Sequence, residues 1–209
     1  MEIHRPPKAI STSYASTLPH ECASLLEDRG PLRIIDVGCG RAVHRASLTQ
    51  RGHRYLGIDL RSIRADVRAD MNHLPFGNGH FDAALLFSSL QYSVHPHLAL
   101  QEMSRVLCPG GTLTGCVAFL EPAVWEGLMH LSARGIRVLV EEAGFKLKYI
   151  WPSWDVFEAL ASALRQEAGD SSECKTALRK IDAASQATFS NLPESLDFCG
   201  SIYFHAVKI

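Results

Sequence analysis

Apolar residues recur along this chain in two alternating rhythms. Compact runs rich in Val, Ile, Leu, Phe and Tyr occupy 32–37, 54–59, 81–87, 112–119, 145–151 and 201–207, as expected of strands, and a short strand is read at 66–69. Between them, apolar positions three and four apart predict helices at 18–28, 41–51, 97–107 and 132–143. In the first, Leu18, Cys22, Leu25 and Leu26 share a face, and Gly30-Pro31 ends it. Strand alternating with helix argues an α/β fold, a doubly wound and mostly parallel seven-stranded sheet of Rossmann-like type.

Two intervals break the rhythm. Asp59 and Asp70 are separated only by residues 60–69, whereas a crossover between parallel strands normally takes a dozen or more residues. The usual helix is therefore expected to be missing there. Residues 152–200, between the last two strands, carry two further helical patterns. These are 155–168 (Val156, Leu160, Ala163, Leu164) and 174–189 (Leu178, Ile181, Ala184), parted by Gly169-Asp170-Ser171-Ser172. The expected organisation is one domain over 1–209: an N-terminal lid and helix (1–30), a core (31–151), a helical insertion (152–200) and a last strand (201–209).

The chemistry concentrates in Ile34-Ile35-Asp36-Val37-Gly38-Cys39-Gly40-Arg41-Ala42 and Tyr55-Leu56-Gly57-Ile58-Asp59. Gly38 and Gly40 let the chain turn sharply after a strand and allow close approach of a ligand. A helix starting at Arg41 would aim its first N–H groups into that turn. Asp59 closes the second strand, where an acid accepts hydrogen bonds from ribose hydroxyls. The third glycine of a dinucleotide fingerprint is absent, since Ala42 and Val43 follow. Asp36 would repel a pyrophosphate and suit an ammonium group. S-adenosylmethionine (SAM) has an ammonium, a ribose and an adenine, and no phosphate.

Three further segments follow in order: Ala69-Asp70-Met71-Asn72-His73-Leu74-Pro75-Phe76, Phe81-Asp82-Ala83-Ala84-Leu85-Leu86 and Arg105-Val106-Leu107-Cys108-Pro109-Gly110-Gly111-Thr112-Leu113. With these the chain resembles the class I SAM-dependent methyltransferases over residues 32–150. It looks most like the small single-domain type 11 group that includes the ubiquinone and menaquinone methyltransferases. The resemblance implies that Asp36, Gly38, Cys39 and Gly40 hold the methionine part of SAM, Asp59 the ribose and Asp70 the adenine amino group. Met71 or Leu60 would pack on the adenine, and Ser88 would line the sulfonium. Structural alternatives are a helix-capping acid at Asp36, a surface-loop acid at Asp70 and a strand-end cap at Ser88.

Methyl transfer needs alignment of the acceptor and, for some acceptors, removal of a proton. The segment after the fourth strand, 88–97, supplies Tyr92, His95 and His97. The family often has an acid and a histidine where Gln91 and Tyr92 stand, so that pair is absent. Glu121, Trp125 and His130 follow the fifth strand, where substrate loops lie, and Tyr14 is a lid candidate. We take Tyr92, His95 and His130 as the catalytic candidates, each against the alternative of a surface residue. Arg41 reads as solvated and His44 as a packing residue. Trp151, Trp154 and Phe157 read either as core or as an apolar substrate wall. The helix at 155–168 is expected to narrow the acceptor pocket, the alternative being an interface in a homodimer.

Composition narrows little further. The 209 residues, 46% hydrophobic, suffice for one full core. A net charge of −1 indicates no nucleic-acid or anionic-membrane surface, though it excludes no local basic patch. No apolar run is long enough to span a bilayer, and the first residues lack the apolar core of a signal peptide. Six scattered cysteines without a C-x-x-C pair suggest reduced, mostly buried thiols and no metal site. The expectation is a cytoplasmic SAM-dependent methyltransferase for a small-molecule acceptor. The alternative is a SAM-binding protein without transfer activity, serving as a cyclase, scaffold or partner subunit.

Overall fold

The computed structural model describes residues 20–27, 29–120, 127–152, 171–189 and 199–209, with isolated positions 161, 164, 165 and 196. Seven strands form one sheet: β1 (Arg33–Val37), β2 (Arg54–Asp59), β3 (Val67–Arg68), β4 (Phe81–Phe87), β5 (Leu107–Ala118), β6 (Phe145–Pro152) and β7 (Ser201–Lys208). Their order is β3-β2-β1-β4-β5-β7-β6, with β7 antiparallel to both neighbours and the other pairs parallel. The carboxyl ends of β1 to β6 therefore share one edge. The chain leaves β1 in one direction to β2 and later returns beside it as β4, so the topological switch that favours a ligand crevice lies at β1.

Helices α3 (Pro96–Val106) and α4 (Ala133–Glu142) cover one face, burying Leu100, Met103, Ile136 and Val140 against Ile35, Leu86 and Leu113. Helices α1 (His20–Glu27) and α2 (Arg45–Gln50) cover the other, where Cys22, Leu26 and Leu48 meet Ile34, Leu85 and Trp151. Trp151 stacks on Tyr203 at 5.5 Å and is a core residue, so it is no substrate wall. A fifth helix, α5 (Ser172–Phe189), is the second of the two expected in the insertion. The expected first one, together with Trp154 and Phe157, lies mostly outside the described residues, although Ala161, Leu164 and Arg165 are helical. Trp125, Glu121 and Tyr14 also lie outside them.

The link from β2 to β3 holds no helix, as its length predicts. Arg45 covers the gap: its guanidinium stacks over Tyr55 at 4.8 Å and pairs with Asp66 at 2.8 Å, and Asp66 accepts the Gly57 N–H. From β3 to β4 the chain is again irregular and is held by α3. Glu102 accepts the Leu74 N–H, while Arg105 donates to the carbonyls of Leu74 and Phe76 and to Asn78.

Three expected boundaries move. The helix expected from Arg41 begins only at Arg45, because Ala42 takes a left-handed conformation (φ 54°) and its N–H closes a tight turn onto Cys39. The third strand shrinks to two residues. The fifth begins at Leu107 rather than 112, with an irregularity opposite Phe81 and Ala83.

Candidate functional site

The turn after β1 is tied down from several directions. The N–H groups of Gly38 and Cys39 both donate to the Ile58 carbonyl at 2.9 Å, fastening the turn to β2. Gly40 donates its N–H to Asp59 Oδ2 at 3.0 Å, and the Ser62 hydroxyl donates to the Gly40 carbonyl. The other oxygen of Asp59 accepts the N–H groups of Arg61 and Ser62, each at 2.8 Å. The helix expected to aim its N–H groups into the turn starts only at Arg45, and the N–H groups of Gly38, Cys39, Gly40 and Ala42 are taken up within the protein. What the turn presents instead is the partly buried Asp59 carboxylate beside Gly40. Gly40 has φ +51° and nothing within 4 Å of where a Cβ would stand.

Contacts within the protein already hold position 38 to glycine. It has φ +74°, and a Cβ there would lie 2.4 Å from the Cβ of Ser89, whose hydroxyl donates to the Val37 carbonyl. The residue after β4 thus packs directly on the turn after β1.

Asp36 is 1% exposed. Its Oδ2 accepts a hydrogen bond from the Tyr55 hydroxyl at 2.7 Å and meets His44 Nδ1 at 3.1 Å, while His44 packs on Phe87. His44 is thus a packing residue that also braces a carboxylate. Burial, and then the Asp36 charge, hold the Tyr55 phenol far above its ordinary range, so it stays a hydrogen-bond donor. Burial, followed by the charges of Asp36, Asp59 and Asp66, pushes the Cys39 thiol up to about 12. Cys39 is therefore an inert thiol filling space under the turn.

Beyond this turn the candidates form a ring on the same edge. Ser88 ends β4 in a left-handed conformation (φ 47°), with its N–H on the Cys116 carbonyl and its hydroxyl 3.3 Å from the Cys116 sulfur. Strain of this kind persists only where surroundings impose it, and it clusters at functional sites. A short 3-10 turn, Leu90–Tyr92, follows. Tyr92 is exposed, and Gln91 is buried with an Oε1 that finds no hydrogen-bond donor among the described residues. The Gln91 carbonyl accepts the Leu128 N–H, drawing the segment with exposed His130 alongside, and Ser93 donates to Asn72 at 2.9 Å. Asn72 in turn donates from its backbone and side chain to exposed Asp70, and neighbouring Met71 packs against the core under α3. Leu60 is largely exposed next to Asp59. His95 caps α3, and its ring lies 6.0 Å from that of His97, both exposed.

The structure thus joins Asp36, Gly38, Cys39, Gly40 and Asp59 in one bonded turn, with Leu60 at its rim. Ser88, Tyr92, Asp70, Met71 and His130 lie on the loops flanking it, and His95 stands further out at the start of α3. Sequence reasoning missed Ser89, Tyr55, Ser62 and Gln91. Only Ser62 carried a local signal, since a serine three residues after a strand-ending acid is a turn former.

The family model described as a methyltransferase domain matches residues 35–114. The chain is 30% identical over 156 residues to a demethylmenaquinone methyltransferase of Clavibacter sepedonicus, covering 64% of this chain and 63% of that protein. It therefore spans less than two thirds of that relative's length. Among solved structures it is similar to the cyclase SpnF (TM-score 0.56, 21% identity, 99% of this chain and 86% of that one). It is also similar to a Burkholderia thailandensis 1,6-didemethyltoxoflavin N1-methyltransferase holding S-adenosylhomocysteine (TM-score 0.59, 16% identity, 89% and 76%). At these identities the structural likeness is one of fold.

Proposed function

We propose that this chain is a class I SAM-dependent methyltransferase that moves a methyl group from SAM to a small-molecule acceptor, a reading supported by the methyltransferase-domain match over residues 35–114 and by the 30% identical relative. One observation carries the reading: Asp59, locked to Gly40, is presented at the carboxyl edge of β1 and β2 next to open space. The residues present suit that cofactor. Asp59 Oδ2, which keeps one acceptor position beside the Gly40 N–H, suits a ribose hydroxyl, and this part of the site favours a ligand without phosphate. When bound, SAM supplies a methyl carbon already activated by its sulfonium.

The chain's own part is then to hold and align. Asp59 fixes the ribose, and Asp70 with Met71 receives the adenine. Asp36 acts by bracing the turn through Tyr55 and His44. The ring formed by Ser88, Tyr92 and the 127–130 segment shapes the acceptor mouth. Buried Gln91 Oε1 suits an acceptor that donates a hydrogen bond, since an unmet buried acceptor is costly. Both ends of the insertion, Pro152 paired with Ile202 and Ser201 with Ala118, lie at this same edge, which supports a covering role for it.

Calorimetry with S-adenosylhomocysteine tests the cofactor reading. Asp59→Ala should cost about 1.5–3 kcal/mol of affinity and Asp59→Asn, which keeps one acceptor, less. Unchanged affinity in a folded Asp59→Ala protein refutes it. A second reading, cofactor binding without transfer, draws on Gln91 and Tyr92, which stand where the family often has an acid and a histidine, and on the exposure of His95, His97 and His130. Release of S-adenosylhomocysteine from SAM in the presence of small nucleophilic acceptors separates the two.

A further inference from the structure

Nine of the chain's 21 basic residues, all arginine, fall between residues 29 and 68, where only Asp36, Asp59 and Asp66 are acidic. Four of them, Arg41, Arg45, Arg61 and Arg64, line one open cavity of about 920 Å³ together with Ser62 and Ile63. The nearby carboxylates are engaged, Asp66 by Arg45 and Asp59 by three backbone N–H groups. Within this basic surface Ile63 is 94% exposed, and Leu60 on the same loop and Val43 on the turn after β1 are exposed by 56% and 38%.

Fraying does not explain that exposure. Asp59 holds the N–H groups of Arg61 and Ser62, and the Ser62 hydroxyl bonds the Gly40 carbonyl and accepts the Arg64 N–H at 3.0 Å. The loop is braced with its aliphatic side chains outward.

We propose that the loop at 60–64, with Arg41 and Val43 of the adjacent turn, docks the protein on an anionic lipid surface. Ile63 enters the headgroup layer while the arginines meet lipid phosphates. Aliphatic residues interleaved with arginine suit a lipid interface, whereas single-stranded nucleic acid is gripped by aromatic platforms. The aromatic ring near this surface, Tyr55, is already covered by Arg45. The loop follows β2 at the carboxyl edge, so docking there would place the candidate cofactor turn and its mouth close to the membrane.

The test uses cofactor-free protein, so its outcome is separate from that of the methyltransferase reading. Flotation is measured with vesicles of phosphatidylcholine alone and of phosphatidylcholine mixed with phosphatidylglycerol. The parent should float with the anionic vesicles and lose binding as salt rises. Arg61→Gln/Arg64→Gln should weaken partitioning about 25-fold, at roughly fivefold per arginine. Ile63→Ser should weaken it about fivefold or more at unchanged charge. Ile63→Trp should strengthen it, a gain that misfolding cannot produce. The proposal is overturned if the parent does not float with anionic vesicles at low salt, or if both the Ile63→Ser and arginine variants float like it. Tight anisotropy-detected binding of a single-stranded RNA oligonucleotide, dependent on the arginines and indifferent to Ile63, would also overturn it.

Discussion

Replacing Gly38 by alanine isolates the contact between the turn after β1 and the end of β4. Two costs add. An L-residue at φ +74° loses roughly 1–2 kcal/mol. The added Cβ would also lie 2.4 Å from Ser89 Cβ and 2.8 Å from its hydroxyl, and forced overpacking of this kind costs about 1–3 kcal/mol. Alanine also restricts the unfolded chain, which returns about 0.4–1 kcal/mol. The net expectation is a loss of about 1–4.5 kcal/mol in urea unfolding. A double-mutant cycle separates the terms. Ser89→Gly removes the clashing Cβ at the expense of the Ser89–Val37 hydrogen bond, worth about 1 kcal/mol. In its background Gly38→Ala should cost about 1–3 kcal/mol less. Ser89→Ala keeps the Cβ and should relieve little. Two results would refute the reasoning: Gly38→Ala within about 0.5 kcal/mol of the parent, or Ser89→Ala rescuing as well as Ser89→Gly.

Other expectations concern separate parts of the molecule. Burial, then the charges of Arg29 and Lys148, push the His205 imidazole down to about 4. The unfolded chain therefore binds a proton that the native state refuses, and stability should fall by about 3 kcal/mol as pH drops from 6.5 to 4. His205→Gln should flatten that limb in urea melts, and parallel curves would disprove it. Arg105→Lys loses the planar fork that holds the Leu74 and Phe76 carbonyls. It should cost about 1–3 kcal/mol and speed amide exchange across 70–80. Gln91→Leu should raise the KM for the acceptor while S-adenosylhomocysteine affinity stays put, and an unchanged KM would remove Gln91 from the mouth. Deleting 155–190 across a short linker should leave S-adenosylhomocysteine binding within a few-fold and abolish transfer, whereas retained transfer with a changed oligomeric state would favour an interface.

The central strands β1 and β4 and their parallel pairing were legible because each is a compact apolar run, and burial on both faces leaves little else for such runs to do. The glycine turn and Asp59 were legible too, since their chemistry is local. The delayed start of α2 was not, because nothing in Arg41-Ala42-Val43-His44 announces a left-handed alanine. Nor was the role of Gly38 or Asp36. Ser89 reaches the Val37 carbonyl across 52 residues of chain, and Tyr55 reaches Asp36 across 19. Register across the sheet creates those contacts, and a one-dimensional pattern carries no register.

The short crossovers explain how arginine is distributed around the site. A helix between β2 and β3 would have covered Tyr55 and the β2 edge with apolar side chains, and the ten residues 60–69 leave no length for one. Arg45 takes over that face, its plane on Tyr55 and its charge against Asp66, and Arg105 likewise substitutes for packing in the irregular stretch after β3. Both cations are structural, and their carboxylate partners quench their fields at longer range. Arg41, Arg61 and Arg64 line the adjoining cavity beside an outward isoleucine on a loop braced through Asp59. The acid that would hold the ribose thus also sets the backbone of the loop that would meet the lipid. Asp59→Ala should therefore weaken vesicle flotation as well as S-adenosylhomocysteine binding, whereas Ile63→Ser should weaken flotation alone. Equal loss of both in the Ile63→Ser protein would show that the two surfaces are one.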